Sequence, residues 1–143
     1  MAITGGTTRR FVQDALNLAI ASGDIIKAAF YSSSASIGPT TQTYTASGEV
    51  TNSPNIQSGG VTLTGRVIGD GTLAVAYVDW DDINVTVTGT FVARGLLIYN
   101  ASRGNASIGV VDFGVDKSST NGPFIVSIPT SGSGTGFVRL TPS

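Results

Sequence analysis

Short segments in which apolar and polar residues alternate, separated by glycine-rich turns, dominate the sequence after residue 23. The segments follow one another every 10 to 15 residues or so, a spacing typical of antiparallel β proteins. The apolar face of each strand needs another layer to cover it, so the pattern predicts a mainly all-β domain. A jelly-roll-like β-sandwich and a barrel both fit, and the periodicity does not choose between them.

The clearest predicted hairpin runs from Val61 through the turn Gly69-Asp-Gly71 to Asp79, because both flanking segments alternate with period two. The segment from Asp24 to Ser32 is apolar at nearly every position, which indicates a strand covered on both faces. The Ser-, Gly- and Pro-rich stretches 33–41 and 51–60 are predicted to be exposed loops. Further strands are predicted at 84–88, 90–99, 107–113, 123–128 and 137–141.

One short helix is predicted from Thr8 to Ser22, since Phe11, Ala15, Leu18 and Ala19 recur at helical spacing. No repeat or linker divides the chain. We therefore expect a single β-rich domain over residues 1–143, in which residues 1–23 form an N-terminal arm and helix.

The surface is expected to carry little charge, because charged residues make up 12% of the chain and hydrophobic residues 41%. Low charge weakens the repulsion between proteins and suits a chain that works within an assembly. The sequence contains no Cys and no His. That composition excludes thiol nucleophiles, thiolate metal sites and the commonest neutral-pH general base, and we expect no cofactor and no enzymatic activity.

The charge balance and the hydropathy pattern also narrow the choice of partners. The net charge is −1 and the isoelectric point is near 5.0, so no basic footprint for nucleic acid is predicted. The polar N-terminus does not resemble a signal peptide, and no stretch reaches the roughly 20 apolar residues of a membrane span. We expect no direct contact with nucleic acid or membrane.

The acidic cluster Asp79-Trp-Asp-Asp82 is open to two interpretations. Alternation would place Asp79 and Asp81 on one face, as in a paired-carboxylate glycosidase or a calcium site. The other interpretation is a strand end in which Trp80 packs and the carboxylates bind turn amides. Five aromatic residues likewise fit either a core or a sugar-binding platform: Tyr31, Tyr44, Tyr77, Trp80 and Tyr99.

Several segments, in order along nearly the whole chain, resemble a family of small virion proteins of tailed bacteriophages. The N-terminal ones are Thr7-Thr-Arg-Arg-Phe-Val-Gln-Asp-Ala-Leu-Asn-Leu18, Ile26-Lys-Ala-Ala-Phe-Tyr-Ser32 and Ala46-Ser-Gly-Glu-Val50. The more specific ones are Gly59-Gly-Val-Thr-Leu-Thr-Gly65, Val78-Asp-Trp-Asp-Asp82, Phe91-Val-Ala-Arg-Gly-Leu-Leu-Ile-Tyr-Asn100 and Val111-Asp-Phe-Gly-Val-Asp-Lys-Ser-Ser119. Residues 52–57 depart from the family pattern, in which a Gly-Tyr-type turn is usual.

The resemblance implies a capsid decoration, or cement, protein with a jelly-roll-like fold. Such proteins, often dimers or trimers, bind major capsid protein across capsomer junctions on the outer capsid surface and resist the pressure of packaged DNA. No catalytic residue is implied. After synthesis in the host cytoplasm, the protein would reside in the virion.

Four residues of the arm and helix start are the candidate contacts to the capsid or to other copies of the chain: Ile3, Arg9, Arg10 and Phe11. The arginines support this choice, because positive charge is mildly unfavourable at a helix N-terminus and a partner carboxylate would offset it. The loops 33–41 and 51–60 are further candidates. Alternative functions are a tail- or fibre-associated carbohydrate-binding module and a head–tail adaptor.

Overall fold

The computed structural model describes residue 15 and residues 20–70, 76–128 and 138–140, and these residues are mainly β. Nine strands occur in them: β1 Ile26–Tyr31, β2 Val61–Thr62, β3 Val67–Asp70, β4 Ala76–Asp79, β5 Ile83–Thr86, β6 Thr90–Asn100, β7 Ala106–Thr120, β8 Pro123–Val126 and β9 Val138–Leu140. The prediction of a mainly all-β chain is confirmed. The predicted helix from Thr8 falls almost wholly outside the described residues, and residues 20–22 at its predicted end are not helical.

The described residues belong to two compact units. The larger unit consists of residues 24–63 and 82–126, and the smaller one takes in residues 64–81 and the chain segments before 24 and after 126. The larger unit holds a four-stranded sheet in the order β2-β1-β6-β7 and a two-stranded sheet of β5 and β8, all antiparallel. The prediction of one domain over the whole chain stays a prediction.

Strand β1 lies at the centre of the larger unit and is covered on both faces, as its unbroken apolar sequence predicts. On one face, Ala29 and Tyr31 form a core cluster with Leu97 and Tyr99 of β6. On the other, Phe30 meets Phe91 and Phe124 edge to face, with ring centroids 5.6 and 5.5 Å apart. Phe124 therefore fixes β8 against the larger sheet.

The smaller unit contains the three-stranded sheet β3-β4-β9. The predicted hairpin is present in part, because Val67 pairs with Asp79 and Asp70 pairs with Ala76. Val61 and Thr62 at its predicted start instead pair with β1 in the larger unit. The predicted turn at Gly69-Asp-Gly71 is wrong, since Gly69 and Asp70 are strand residues that pair with Tyr77 and Ala76. Glycine occurs both in turns and at irregular positions within strands. The Gly-Asp-Gly pattern alone therefore predicted the turn at the wrong place.

The predicted exposed loop 51–60 is partly buried, with every third residue turned inward: Ser53, Ile56 and Gly59. Its exposed side chains tie it to neighbouring strands of the larger unit. Asn52 Nδ2 donates to the Thr90 carbonyl at 2.9 Å and Asn55 Nδ2 to the Thr86 carbonyl at 2.8 Å. Residues 52–57 are thus a packed part of the larger unit.

Candidate functional site

A groove of about 250 Å³ opens on the larger unit, between the chain that follows β1 and the β6–β7 pair. Its lining combines apolar and polar residues: Tyr31, Ser32, Ser33, Ala35, Ile37, Arg94, Gly95, Val110, Val111 and Asp112. A concave surface with a few converging polar groups is the usual form of a binding site. The groove is the candidate functional site of the described residues.

A bulge in β7 shapes one wall of the groove. Between the pair Ala93 and Lys117 and the pair Gly95 and Asp112, the chain advances two residues on β6 but five on β7. The extra residues redirect side chains, as bulges beside sites commonly do. A Cβ at Gly95 would lie 2.5 Å from the Val111 carbonyl oxygen, so the close approach of the strands at this point requires glycine.

Arg94 and Asp112 form an ion pair at the groove, with Arg94 Nε donating to Asp112 Oδ1 at 2.9 Å. The Gly114 backbone N–H donates to the same oxygen at 2.8 Å. That backbone bond and then Arg94 lower the pKa of the Asp112 carboxyl below its usual range. Among the described residues, the terminal guanidinium nitrogens of Arg94 and Asp112 Oδ2 have no partner. The N–H donors of the Arg94 guanidinium and the Oδ2 acceptor of Asp112 therefore lie side by side.

This arrangement presents hydrogen-bond donors and an acceptor side by side at the groove. An adjacent guanidinium and carboxylate match a neutral ligand with donor and acceptor groups, such as a sugar diol or a peptide amide. The serine hydroxyls in the lining have no histidine to activate them, since the chain has none. The sequence did not single out Arg94, although an arginine before glycine within an apolar strand was a usable signal.

A tyrosine network lies beside the groove, and it uses three of the aromatic residues that were candidates for a sugar platform. Tyr44 stacks on Tyr99 with ring centroids 4.9 Å apart and donates from its hydroxyl to Glu49 Oε2 at 2.6 Å. Tyr31 donates to the Thr45 carbonyl at 2.6 Å. Tyr31 and Tyr99 are fully buried and Tyr44 is half-buried, so these rings belong to the core rather than to a platform.

Glu49 connects this network to the loop 51–60. Its Oε1 accepts from the Gly59 N–H at 2.8 Å, while the Tyr99 hydroxyl donates to the Gly59 carbonyl at 2.7 Å. Both polar groups of one glycine are thus bound by side chains that also contact Tyr44. The network holds residues 44–49 and the loop 51–60 against the four-stranded sheet, so its role is structural.

The stability of the chain is expected to fall in alkaline solution because of these tyrosines. Burial raises the pKa of Tyr31, Tyr44 and Tyr99 above the usual value near 10, and the Glu49 charge raises it further. The folded state then binds more protons than the unfolded state above about pH 10, so the unfolding free energy decreases as pH rises from there. Urea unfolding at a series of pH values measures the slope.

The matched variant is Tyr31→Phe, which removes the tyrosine with the largest rise in pKa. It loses the bond to the Thr45 carbonyl, at a cost of about 1 kcal/mol at neutral pH. Its alkaline decline is expected to be shallower than that of the parent chain. An equally steep decline would show that these tyrosines do not control the alkaline stability.

The acidic cluster 79–82 is a strand end, and the predicted alternation of its faces is wrong. Asp79 and Trp80 are both buried, at 6% and 4% exposure, while Asp81 is exposed. Strand β4 ends at Asp79, so no pleat places Asp81 beside it. Asp79 Oδ1 accepts from the Trp80 N–H at 2.9 Å, as the strand-end interpretation predicts. The burial of Trp80 removes it as a sugar platform.

Asp81 has a local structural partner in the smaller unit. Its backbone N–H donates to the Thr64 carbonyl at 2.9 Å, and its Oδ2 accepts from Thr64 Oγ1 at 3.2 Å.

Across residues 20–70 and 76–128, no group of three or more His, Cys, Asp or Glu side chains is arranged to hold a metal ion. In the same part of the chain, no helix has the length and apolar character needed to cross a bilayer.

The four predicted interface residues, Ile3, Arg9, Arg10 and Phe11, lie outside the described residues, so their role stays a prediction. The loop 33–41 is largely exposed and contributes Ser33, Ala35 and Ile37 to the groove.

Comparison with protein-family models, with curated proteins and with solved structures finds no match to this chain.

Proposed function

We propose that this chain is a capsid decoration protein of a tailed bacteriophage, a structural protein without enzymatic activity. The supporting observation is the position, within the fold, of the segments that resemble small virion proteins of tailed bacteriophages. Phe91–Asn100 falls within β6 and Val111–Ser119 within β7, and these two strands pair along most of their length. The resemblance therefore concerns the residues that build the scaffold, which is the part that relatives are expected to share.

A jelly-roll-like β-sandwich is the fold that accompanies this proposal. In its support, the two-stranded sheet β5–β8 faces the four-stranded sheet through Phe124, whose ring lies 5.0 Å from that of Phe91. Two antiparallel sheets joined through inward aromatic residues are the basic unit of such folds. The described strands form open sheets, and the complete strand order of a jelly roll belongs to the proposal.

The proposed mechanism uses many weak contacts repeated by symmetry. Strand β7 offers one surface for them, since it lies at the end of its sheet and residues 114–118 are exposed. Val115 in the bulge is 56% exposed, and Val92 on β6 is 39% exposed. Small apolar contacts of this kind, multiplied over copies that bridge major capsid protein subunits, would resist expansion of a DNA-filled head.

The copy number and position of the chain on purified virions test the proposal. Imaging of the particle, with the band of this protein compared with that of the major capsid protein, gives both quantities. Copies spread over the whole shell are expected. A single ring at one vertex would contradict decoration and assign the chain to the head–tail junction, while copies on fibres would assign it to the tail.

Deletion of residues 1–10 is expected to abolish binding to capsids, because it removes Ile3, Arg9 and Arg10 from the proposed interface. The readout is the amount of chain that sediments with capsids that lack it. Circular dichroism of the truncated chain is the control for folding. Unchanged occupancy of the capsid by a folded truncated chain would refute the arm as the adhesive element.

A carbohydrate-binding module of the tail or fibres is the second candidate, and the groove at Arg94 and Asp112 is the observation that favours it. A glycan panel with the whole chain and with Arg94→Gln tests it. Loss of a glycan signal in the variant would support sugar binding. Lys117→Gln is a suitable control, because Lys117 is exposed and is not part of the groove lining.

A further inference from the structure

The connection between β7 and β8 consists of two residues, Asn121 and Gly122, and Asn121 is the one asparagine of the chain that precedes a glycine. Asn121 is exposed and has a positive φ of 48°. Asparagine tolerates this left-handed conformation in turns better than most residues. At an exposed Asn-Gly pair, the side-chain amide and the next backbone nitrogen can react with each other.

The hydrogen bonds around this turn favour attack of the Gly122 nitrogen on Cγ, the side-chain carbonyl carbon of Asn121. The Gly89 backbone N–H donates to Asn121 Oδ1 at 2.8 Å, and the Asn121 N–H donates to the Gly89 carbonyl at 3.0 Å. A donor on Oδ1 stabilises the negative charge that develops there when a nucleophile attacks Cγ. The Gly122 N–H, which is that nucleophile, has no acceptor among the described residues.

We propose that Asn121 is a site of spontaneous deamidation, with Gly122 as the attacking residue. The Gly122 nitrogen loses its proton to solvent and forms a bond to Asn121 Cγ. The bond between Cγ and the side-chain nitrogen then breaks, and that nitrogen takes a proton from solvent and leaves as ammonia. Water then opens the resulting five-membered imide at either carbonyl, which yields aspartate or isoaspartate. Ring closure needs a rotation of the Asn121 backbone, which local opening of an exposed turn allows.

The two products have opposite consequences for the fold. Aspartate at 121 keeps the acceptor for Gly89 and gives it a full negative charge, which strengthens the hydrogen bond. Isoaspartate adds a carbon to the main chain of a two-residue connection, immediately before β8. Its first residue, Pro123, pairs with Thr86, so the insertion disturbs the β5–β8 register. Modification would therefore loosen β8 in a fraction of the molecules over time.

Incubation of the full-length chain in mildly alkaline buffer tests the proposal, with peptide mass spectrometry that separates aspartate from isoaspartate. Conversion is expected at Asn121. Asn105 is the internal control, because it is also exposed and left-handed, with φ of 58°, but precedes alanine. Persistence of the Asn121 amide, or equal conversion at Asn105, would overturn the proposal.

The matched variant is Gly122→Ala. A Cβ at this position would meet the Thr120 carbonyl oxygen at 3.6 Å and Ser119 Oγ at 3.8 Å, which are ordinary contacts, so the fold is expected to be retained. Conversion at Asn121 should be slower by at least about tenfold, because the methyl group hinders attack. An unchanged rate in the folded variant would contradict ring closure at the residue-122 nitrogen as the step that limits conversion.

Discussion

Gly60→Ala is expected to lower the unfolding free energy by at least about 4 kcal/mol, a large part of the stability of a typical domain. A Cβ at this position would lie 1.9 Å from the Ala28 carbonyl oxygen and 2.6 Å from the Ala29 Cα. Both atoms belong to the backbone of β1, where Ala28 and Ala29 are fully buried. Neither atom can move without displacing the central strand, so the expected result is a poorly folded protein.

Gly104→Ala is the control for this prediction. Both glycines have a positive φ, 77° at Gly60 and 62° at Gly104, but a Cβ at Gly104 would meet nothing within 4 Å. The control should therefore show only the conformational penalty of about 1–2 kcal/mol. Equilibrium urea unfolding of both variants separates the two effects. Equal losses would mean that the approach of residue 60 to β1 does not limit stability.

Phe124→Ala is expected to lower the unfolding free energy by about 3–5 kcal/mol. The side chain is 5% exposed, and its ring contacts Phe30, Phe91 and, less closely, Phe113. Removing it leaves a cavity between the two-stranded and four-stranded sheets and loses two edge-to-face contacts. Because these contacts fix β8, hydrogen exchange should become faster at the amides that pair β8 with β5.

Ile125→Ala is the matched control on the same strand. The Ile125 side chain is 57% exposed, so its truncation should change the stability by no more than about 0.5 kcal/mol. Denaturation midpoints and slopes of the two variants give the comparison. A similar loss in both would show that β8 is not held by its inward phenylalanine.

The same residues can carry a functional test. If the chain decorates capsids, Ile125→Ala and Val115→Ala keep the fold and remove exposed apolar surface, so weaker binding to capsids would identify their faces as contacts. Phe124→Ala cannot serve this purpose, because loss of binding would follow from loss of structure. Substitutions at exposed positions therefore test capsid binding, and the substitution at buried Phe124 tests stability.

Several features of the candidate site could not be predicted from the sequence. The groove depends on a bulge that brings Arg94 and Asp112, 18 residues apart, to 2.9 Å. Glu49 was not singled out, although it joins Tyr44 to the Gly59 backbone. Both arrangements require knowledge of strand register, which local patterns do not contain.

The sequence by itself determined the class of fold, because period-two alternation and an unbroken apolar segment are local properties of β-strands. It predicted β1, β6 and the pairing of β3 with β4 in outline. The tertiary structure decided which side chains are buried. Asp79 and Trp80 are both buried although they are adjacent in the chain, and every third residue of the loop 51–60 is buried as well. Burial depends on which segments pack together, so residues distant in the chain set it.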